Sequence, residues 1–271
     1  MRITMCGTAN GGNTRSAGAN ILLEAAGQRL LLDCGHSSVN GLVQALGPGR
    51  SIDALLFSHL HFDHVVGLPE LLCRFALESR TWPRIYGPRD TATYAAEALT
   101  LTRTLSKNPN RMPPPDPVIE EGGPGEAITI GEIRVSTIEV PHVAHLQCLA
   151  RRLEWEGGTL VYSGDTTDAP ELMVPFAADA DVLIHECYSE GALEEAVAGI
   201  PEAHREAARK SIVSTHSRVE TVAAIARDAG IGTLVLTHLL AGEDAATLRD
   251  IASASYRGRV VVAHDGLAFD S

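Results

Sequence analysis

The stretch Ser58-His59-Leu60-His61-Phe62-Asp63-His64 sets four metal-capable side chains within six residues. Neutral imidazole and carboxylate are good ligands for borderline divalent cations such as zinc. His59 and His61 are two apart, so in an extended segment they point the same way. Asp63 and His64 come as the chain turns toward a helix, which aims them at a second point. One short loop can therefore serve two ions. Further donors lie downstream, where His142, Asp165 and His238 each follow an apolar, β-like run. His59, His61 and His142 suit one ion, and Asp63, His64 and His238 suit another. Asp165 is the natural bridge, because a carboxylate has two oxygens to share. Two cations about 3.5–4 Å apart can hold a hydroxide between them, the pKa of bound water falling to roughly 7. Hydrolysis by such a site needs no protein nucleophile.

These donors must be carried by strands that end at a common rim. Ile21-Leu22-Leu23-Glu24 and Arg29-Leu30-Leu31-Leu32-Asp33-Cys34 flank Ala26-Gly27-Gln28 and read as a hairpin. A short helix over residues 38–46 leads to the apolar run Ala54-Leu55-Leu56-Phe57, which delivers the histidine cluster. Pro69 opens a helix over 70–78, proline being tolerated in the first helical turn. A strand at 84–87 and a helix at 91–105 follow. Lys107 to Glu126 holds six prolines and three glycines without periodicity and reads as one long loop: a lid, a dimer arm or a connector. Strands resume at 127–130 and 133–140, leading to His142, and again at 149–154 and 159–163, leading to Asp165. Later come a strand at 182–184, a helix at 219–228, a strand at 233–236 before His238, a helix at 245–254 and a strand at 260–263. The chain reads as two similar halves in one domain over residues 1–271. Helices outside two stacked sheets would bury both apolar faces, an αββα sandwich in the α/β (α+β) class. The polar, glycine-rich loop Gly7 to Asn13 lacks the GxxxxGK[ST] pattern, so no phosphate cradle of that kind is read there.

Composition narrows the partners. Hydrophobic residues make up 45% of the 271 and charged residues 21%, as in an ordinary globular protein. The formal net charge of -12 works against loose binding to a nucleic-acid backbone. The five cysteines are odd in number, far apart and without a CxxC pair, which argues against a disulfide framework or a thiolate zinc site. They read as buried thiols in a reducing cytoplasm. No apolar h-region opens the chain and no apolar run approaches eighteen residues, so neither export nor a membrane span is expected.

The chain resembles the metallo-β-lactamase superfamily of hydrolases. The residues that carry this are His59-Leu60-His61-Phe62-Asp63-His64, Pro141-His142, Ser163-Gly164-Asp165-Thr166 and Leu236-Thr237-His238. Within it, the chain is similar to the ribonuclease Z and arylsulfatase-like branch. That likeness rests on Leu31-Leu32-Asp33-Cys34-Gly35, Val66-Gly67-Leu68-Pro69, Val182-Leu183-Ile184-His185-Glu186, Thr215-His216-Ser217 and Ala263-His264-Asp265-Gly266. The resemblance implies a four-layer αββα sandwich, two Zn2+ (or Mn2+ or Fe2+), hydrolysis of an ester, most often a phosphodiester, and a homodimer. It implies metal ligands at His59, His61, Asp63, His64, His142, Asp165 and His238, and catalytic roles for Asp63, His216 and Glu186. His216 matches a histidine that assists proton transfer to the leaving group, and Glu186 matches an acid that orients it. The family motif reads His-Ser-Thr, whereas here Arg218 follows Ser217.

Only 22 residues separate His142 from Asp165, so the tRNA-gripping arm that ribonuclease Z often inserts there is absent. Together with the acidic balance, this favours a small-molecule ester substrate (a phosphodiester, sulfate ester or lactone) over tRNA 3′ processing. A redox diiron reading is disfavoured by His61, where such proteins commonly carry Glu. A non-catalytic scaffold would be expected to have lost ligands. His145 is the alternative to His142, and strand-end position favours His142. His264 is expected to pack or hydrogen-bond near the site, and His36, His185 and His204 to be structural or exposed. Arg15, Arg151 and Arg152 are expected on solvated faces, with an anion-receiving role as the alternative.

Overall fold

The structure is a computed structural model and describes residues 1–78, 80–105 and 116–271. The first half runs β1 (Arg2–Gly7), β2 (Asn20–Ala25), β3 (Gln28–Leu32), α1 (Val39–Leu46), β4 (Ala54–Leu56), α2 (Phe62–Val65), α3 (Leu68–Leu77), β5 (Arg84–Gly87), α4 (Thr91–Leu105) and β6 (Ile119–Glu121). Next come β7 (Ala127–Ile130), β8 (Ile133–Glu139), β9 (Leu149–Trp155), β10 (Gly158–Tyr162), α5 (Pro170–Ala177), β11 (Val182–Glu186) and α6 (Glu190–Ala198). The chain continues with α7 (Glu202–Thr215), α8 (Val219–Asp228), β12 (Thr233–Thr237), α9 (Ala245–Ser253), β13 (Arg259–Val262) and β14 (Leu267–Asp270).

Two sheets form, in the orders β14-β1-β2-β3-β4-β5-β6 and β13-β12-β11-β10-β9-β8-β7. Each combines three antiparallel pairings with three parallel ones. The parallel set is β3-β4-β5-β6 in one sheet and β10-β11-β12-β13 in the other. This common pattern is the physical content of the two similar halves. The β2-β3 hairpin closes through Ala26 and Gly27, both at positive φ (47° and 71°), as a two-residue turn requires.

Strand alternation divides the apolar residues between two faces. Leu23, Leu30, Leu32 and Leu56 meet Leu153, Leu160, Val182 and Ile184 between the sheets. The opposite faces of the same strands, Leu22, Leu31, Leu55 and Ile85, pack under Leu42 of α1, Leu71 and Phe75 of α3 and Leu99 of α4. On the far side, Val161, Leu183 and Leu234 pack under Met173 of α5, Val222 of α8 and Leu248 of α9. The result is the αββα sandwich, with its strands buried on both faces as parallel sheets demand. No described helix is long and apolar enough to cross a membrane.

Two expectations are corrected. The run 107–126 is not one loop: residues 119–121 form β6, which pairs parallel with β5, and Thr137 Oγ1 donates to Gly123 O. Residues 106–115, where the lid, arm or connector reading mainly falls, lie outside the described residues. Arg151 is not on a solvated face: it is 3% exposed and donates to the Phe57 carbonyl.

Candidate metal centre

The donors gather at the carboxyl ends of the parallel strands, where an α/β sheet leaves room for chemistry. Sheet one contributes Asp33 after β3 and the histidine cluster after β4. Sheet two contributes Asp165 after β10, Glu186 at the end of β11 and His238 after β12. Three backbone turns there are left-handed: Asp33 (φ 59°), Gly164 (φ 58°) and His238 (φ 57°). Such conformations are sparsely populated away from glycine and collect at functional sites. Gly35 is required by close approach, since a Cβ there would lie 2.0 Å from the Asp63 carbonyl oxygen. That contact lets the Asp33-Gly35 segment press against the ligand loop.

The seven predicted ligands form two nests. In the first, His61 Nδ1 lies 3.1 Å from both His59 Nε2 and His142 Nε2. In the second, His238 Nε2 lies 3.1 Å from His64 Nε2 and 3.2 Å from Asp63 Oδ2. Asp165 Oδ2 sits between them, 3.3 Å from His64 and His238, 3.7 Å from His59 and 3.9 Å from His142. Its other oxygen is buried without a hydrogen-bond partner.

The far side of each ring shows which nitrogen is free for a cation. His64 Nδ1 donates to Asp33 Oδ2 at 2.8 Å. The same oxygen accepts from Ser58 Oγ and the Tyr162 hydroxyl, each at 2.7 Å, and Asp33 Oδ1 accepts from the Ser58 amide. Ser58 Oγ also lies 3.0 Å from His59 Nδ1 and accepts from it, its own proton being on Asp33. His142 Nδ1 donates to the Thr215 carbonyl at 2.7 Å. These bonds turn the Nε2 atoms of His59, His64 and His142 inward, as outer partners do for metal-ligating histidine. In the first nest, His61 Nδ1 can donate to one of the two Nε2 atoms 3.1 Å away but not to both, and a cation satisfies all three. Five imidazoles and two carboxylates are a donor set suited to zinc and its neighbours.

Burial lowers the His59 pKa far below its usual value, with help from His64. Burial also takes His61 down to about 4 and lowers His142. These three rings are therefore neutral. Burial opposes charge on His64 as well, but Asp165 and Asp33 outweigh it and raise its pKa. Burial would raise Asp63 and Asp165, yet histidines hold both well below the usual carboxylate range: the His238 hydrogen bond and His64 for Asp63, His238 and His64 for Asp165.

His216 caps the end of α7 and lies against both nests, its ring edge-on to His142 at 5.1 Å and stacked on His238 at 5.4 Å. Its Nδ1 donates to Glu186 Oε2 at 3.2 Å. Burial disfavours the charged ring, but Glu186 chiefly, with Asp165 and Asp63, raises its pKa to about 9. A nitrogen of His216 also lies within 4.8 Å of donor atoms of Asp165 and His238, but a protonated ring on Glu186 is a poor ligand. Glu186 is buried, and its Oε1 accepts from the Thr166 and Ser217 amides. It therefore ties the Asp165 loop to the His216 loop. Arg218, where the family motif has Thr, adds to that tie by donating twice to Asp168 at 2.9 Å.

His145 stands off, its ring 6.2 Å from His61 and in none of the candidate ligand groups. His264 is exposed, and its Nδ1 hydrogen-bonds the Asp265 carbonyl at 3.2 Å. His185 is buried and His204 exposed. Asp33, Ser58 and Tyr162 were not singled out as site residues. The signal for Asp33 was an acid ending an apolar strand just before Cys-Gly; Tyr162 gave none.

The model of the anti-Pycsar protein Apyc1 family matches residues 1–216. A ribonuclease Z of Mycolicibacterium paratuberculosis is 30% identical over 284 residues, covering 98% of this chain and 96% of that protein. The chain belongs to this Apyc1 and ribonuclease Z-like family. It is a metallo-β-lactamase fold, metal-dependent hydrolase. Solved structures carry the same fold. The metallo-β-lactamase fold protein YhfI from Bacillus subtilis aligns at a TM-score of 0.77 and 23% identity, covering 100% of this chain and 99% of that one. The short form of human tRNase Z (ELAC1) aligns at 0.71 and 21%, with the same coverage. In this family member, the span from His142 to Asp165 holds only the β9-β10 hairpin.

Proposed function

We propose that this chain is a dinuclear zinc-dependent hydrolase of phosphodiesters or related small esters, working as a single domain over residues 1–271. The observation that carries the reading is Asp165 Oδ2, within 3.9 Å of imidazole nitrogens from both nests. His59, His61 and His142 would hold one ion, Asp63, His64 and His238 the other, and Asp165 both. When bound, the ions supply Lewis-acid polarisation and a water molecule ionised near neutral pH. Asp63 faces the second nest and keeps its negative charge beside His238. His216 carries a proton on the rim shared by both nests, and Nε2 is the nitrogen left to pass it to a departing oxygen. Glu186 holds that ring in place and stabilises its charged form. The His216 pKa, about 9 with Glu186 beside it, would be lower with cations in the nests, nearer the range in which proton donation is efficient.

RNA is the second substrate reading, favoured by the relatives named ribonuclease Z. The net charge of -12 weighs against it. Cleavage of bis(p-nitrophenyl) phosphate against pre-tRNA by the zinc-loaded protein separates the two. Uptake of less than one equivalent of zinc, manganese or iron would sink both. Homodimer formation and a cytoplasmic location belong to the same proposal. Cys6, Cys34, Cys148 and Cys187 are buried thiols, and burial raises Cys6 and Cys148 to about 12, which keeps them unreactive.

A further inference from the structure

Phe62 stands between two candidate ligands in a segment that is otherwise sunk into the protein: His59 and His64 are 0% exposed, Val65 4% and Asp63 5%. The Phe62 ring is nevertheless 58% exposed. It stacks on the His36 imidazole, with centroids 6.0 Å apart and planes 27° from parallel. One face is thereby supported, and more than half of the residue's surface stays open to solvent. The ring is also close to the chemistry. The point a Cβ of Gly11 would occupy is 3.1 Å from Phe62 Cε1 and 3.1 Å from Asp63 Oδ2. Ring edge and ligand oxygen are therefore no more than twice that distance apart, which a phosphoryl group and its ester oxygen can span. Positions 11 and 12 of the adjoining loop are glycine and place no side chain against the ring, and a Cβ at Gly12 would meet Asn10 Oδ1 at 3.7 Å. Val66, one turn on, is 47% exposed and extends the apolar strip.

We propose that Phe62 is a specificity-determining residue, its open face receiving a planar aryl or heteroaryl substituent of the substrate while the ester is held at the metal nests. The inference rests on the metallohydrolase reading above and names the class of ester it takes. A flat ring is favoured over an alkyl group because offset stacking adds to the burial of apolar area. A ring braced from behind by His36 loses little freedom on binding.

Calorimetric titration of metal-loaded protein with phenylphosphonate and with methylphosphonate tests this without turnover. Wild type should prefer phenylphosphonate by about tenfold or more. At matched metal content, Phe62→Ala and Phe62→Leu should bring the two ligands within about twofold, and Phe62→Trp should restore the preference. An unchanged preference in Phe62→Ala overturns the proposal. So does a lost preference that accompanies dissociation of a dimer in sedimentation, since Phe62 would then pack against a second copy. A Phe62-dependent preference in a protein that hydrolyses no ester sinks the proposed activity and leaves this inference standing. Ester hydrolysis without the preference does the reverse.

Discussion

The two nests share the Asp165 carboxylate and differ in most of what stands behind it. The first is built from three imidazoles kept neutral by burial, with backbone and hydroxyl oxygens as outer partners: Thr215 O for His142 and Ser58 Oγ for His59. The second contains a ligand carboxylate, Asp63, and rests on another, Asp33, through His64. Beyond the shared Asp165, a cation in the second nest would meet formal negative charge nearby, whereas one in the first would meet neutral rings and dipoles. The second nest should therefore bind more tightly at neutral and higher pH. Its advantage should shrink in acid, because the same carboxylates hold a proton on His64. Similar ligand sets can thus differ in affinity and pH response through what stands behind the rings.

Asp165→Ala tests the shared element and should have the largest effect. At least one ion should be lost by elemental analysis, and hydrolysis should fall to about a thousandth of wild type or less, since the substitution removes the contact common to both ions. Retention of two ions with normal turnover would remove the basis for a bridged pair. His216→Ala should keep both metals and lower turnover by about 10²–10⁴-fold on a substrate with a poor leaving group. The loss should be much smaller with p-nitrophenolate, which needs no proton. Equal turnover of variant and wild type on the poor leaving group would rule out the proton-donor role.

Asp33→Asn separates the nests. The Asp33 contact with His64 is direct and that with His59 runs through Ser58 Oγ, so the substitution should weaken the second nest's ion by about 10–100-fold and the first's by clearly less, seen as a split into two chelation steps on titration with EDTA. Equal weakening of both would mean that the nests are not independent.

Two pH experiments are subtler. Loading the second nest should release a proton near neutral pH, because His64 is held protonated before metal binds, so that affinity rises with pH. The first nest should load without release down to the acid range, where His61 titrates at about 4. Calorimetry in buffers of different ionisation enthalpy reads both. Glu186 raises the His216 pKa, and the protonated ring is the active form, so activity on poor leaving groups should fall as pH rises through that pKa. Glu186→Gln should move the fall to lower pH. An unmoved limb would assign it to another group.

The candidate donor set was legible because it depends on local order. His59, His61, Asp63 and His64 lie in one turn of chain, and His142, Asp165 and His238 each end a short apolar run. The flanking hairpin, α1, α3, α4, α8 and α9 were legible for the same reason: their apolar residues repeat at the period of the element. Other elements carried no such period. Helix α7 has no buried residue, so no stripe marks it, although its last turn supplies the carbonyl that orients His142. β6 is three half-buried or exposed residues in a proline-rich stretch, and its pairing with β5 is a long-range event. Arg151 lies next to Arg152 in an alternating strand, and composition alone does not say which of the two faces the interior.

Residue type and order by themselves determined which atoms are available as donors and that strand ends would bring them to one rim. Only the folded chain decided where each donor points. Asp33 is joined to Ser58, His64 and Tyr162 across 25, 31 and 129 residues, and His238 is aimed by a left-handed backbone turn. A lone pair has a direction as well as an identity. That direction is set by hydrogen bonds and backbone angles that exist only when the two sheets have closed on each other.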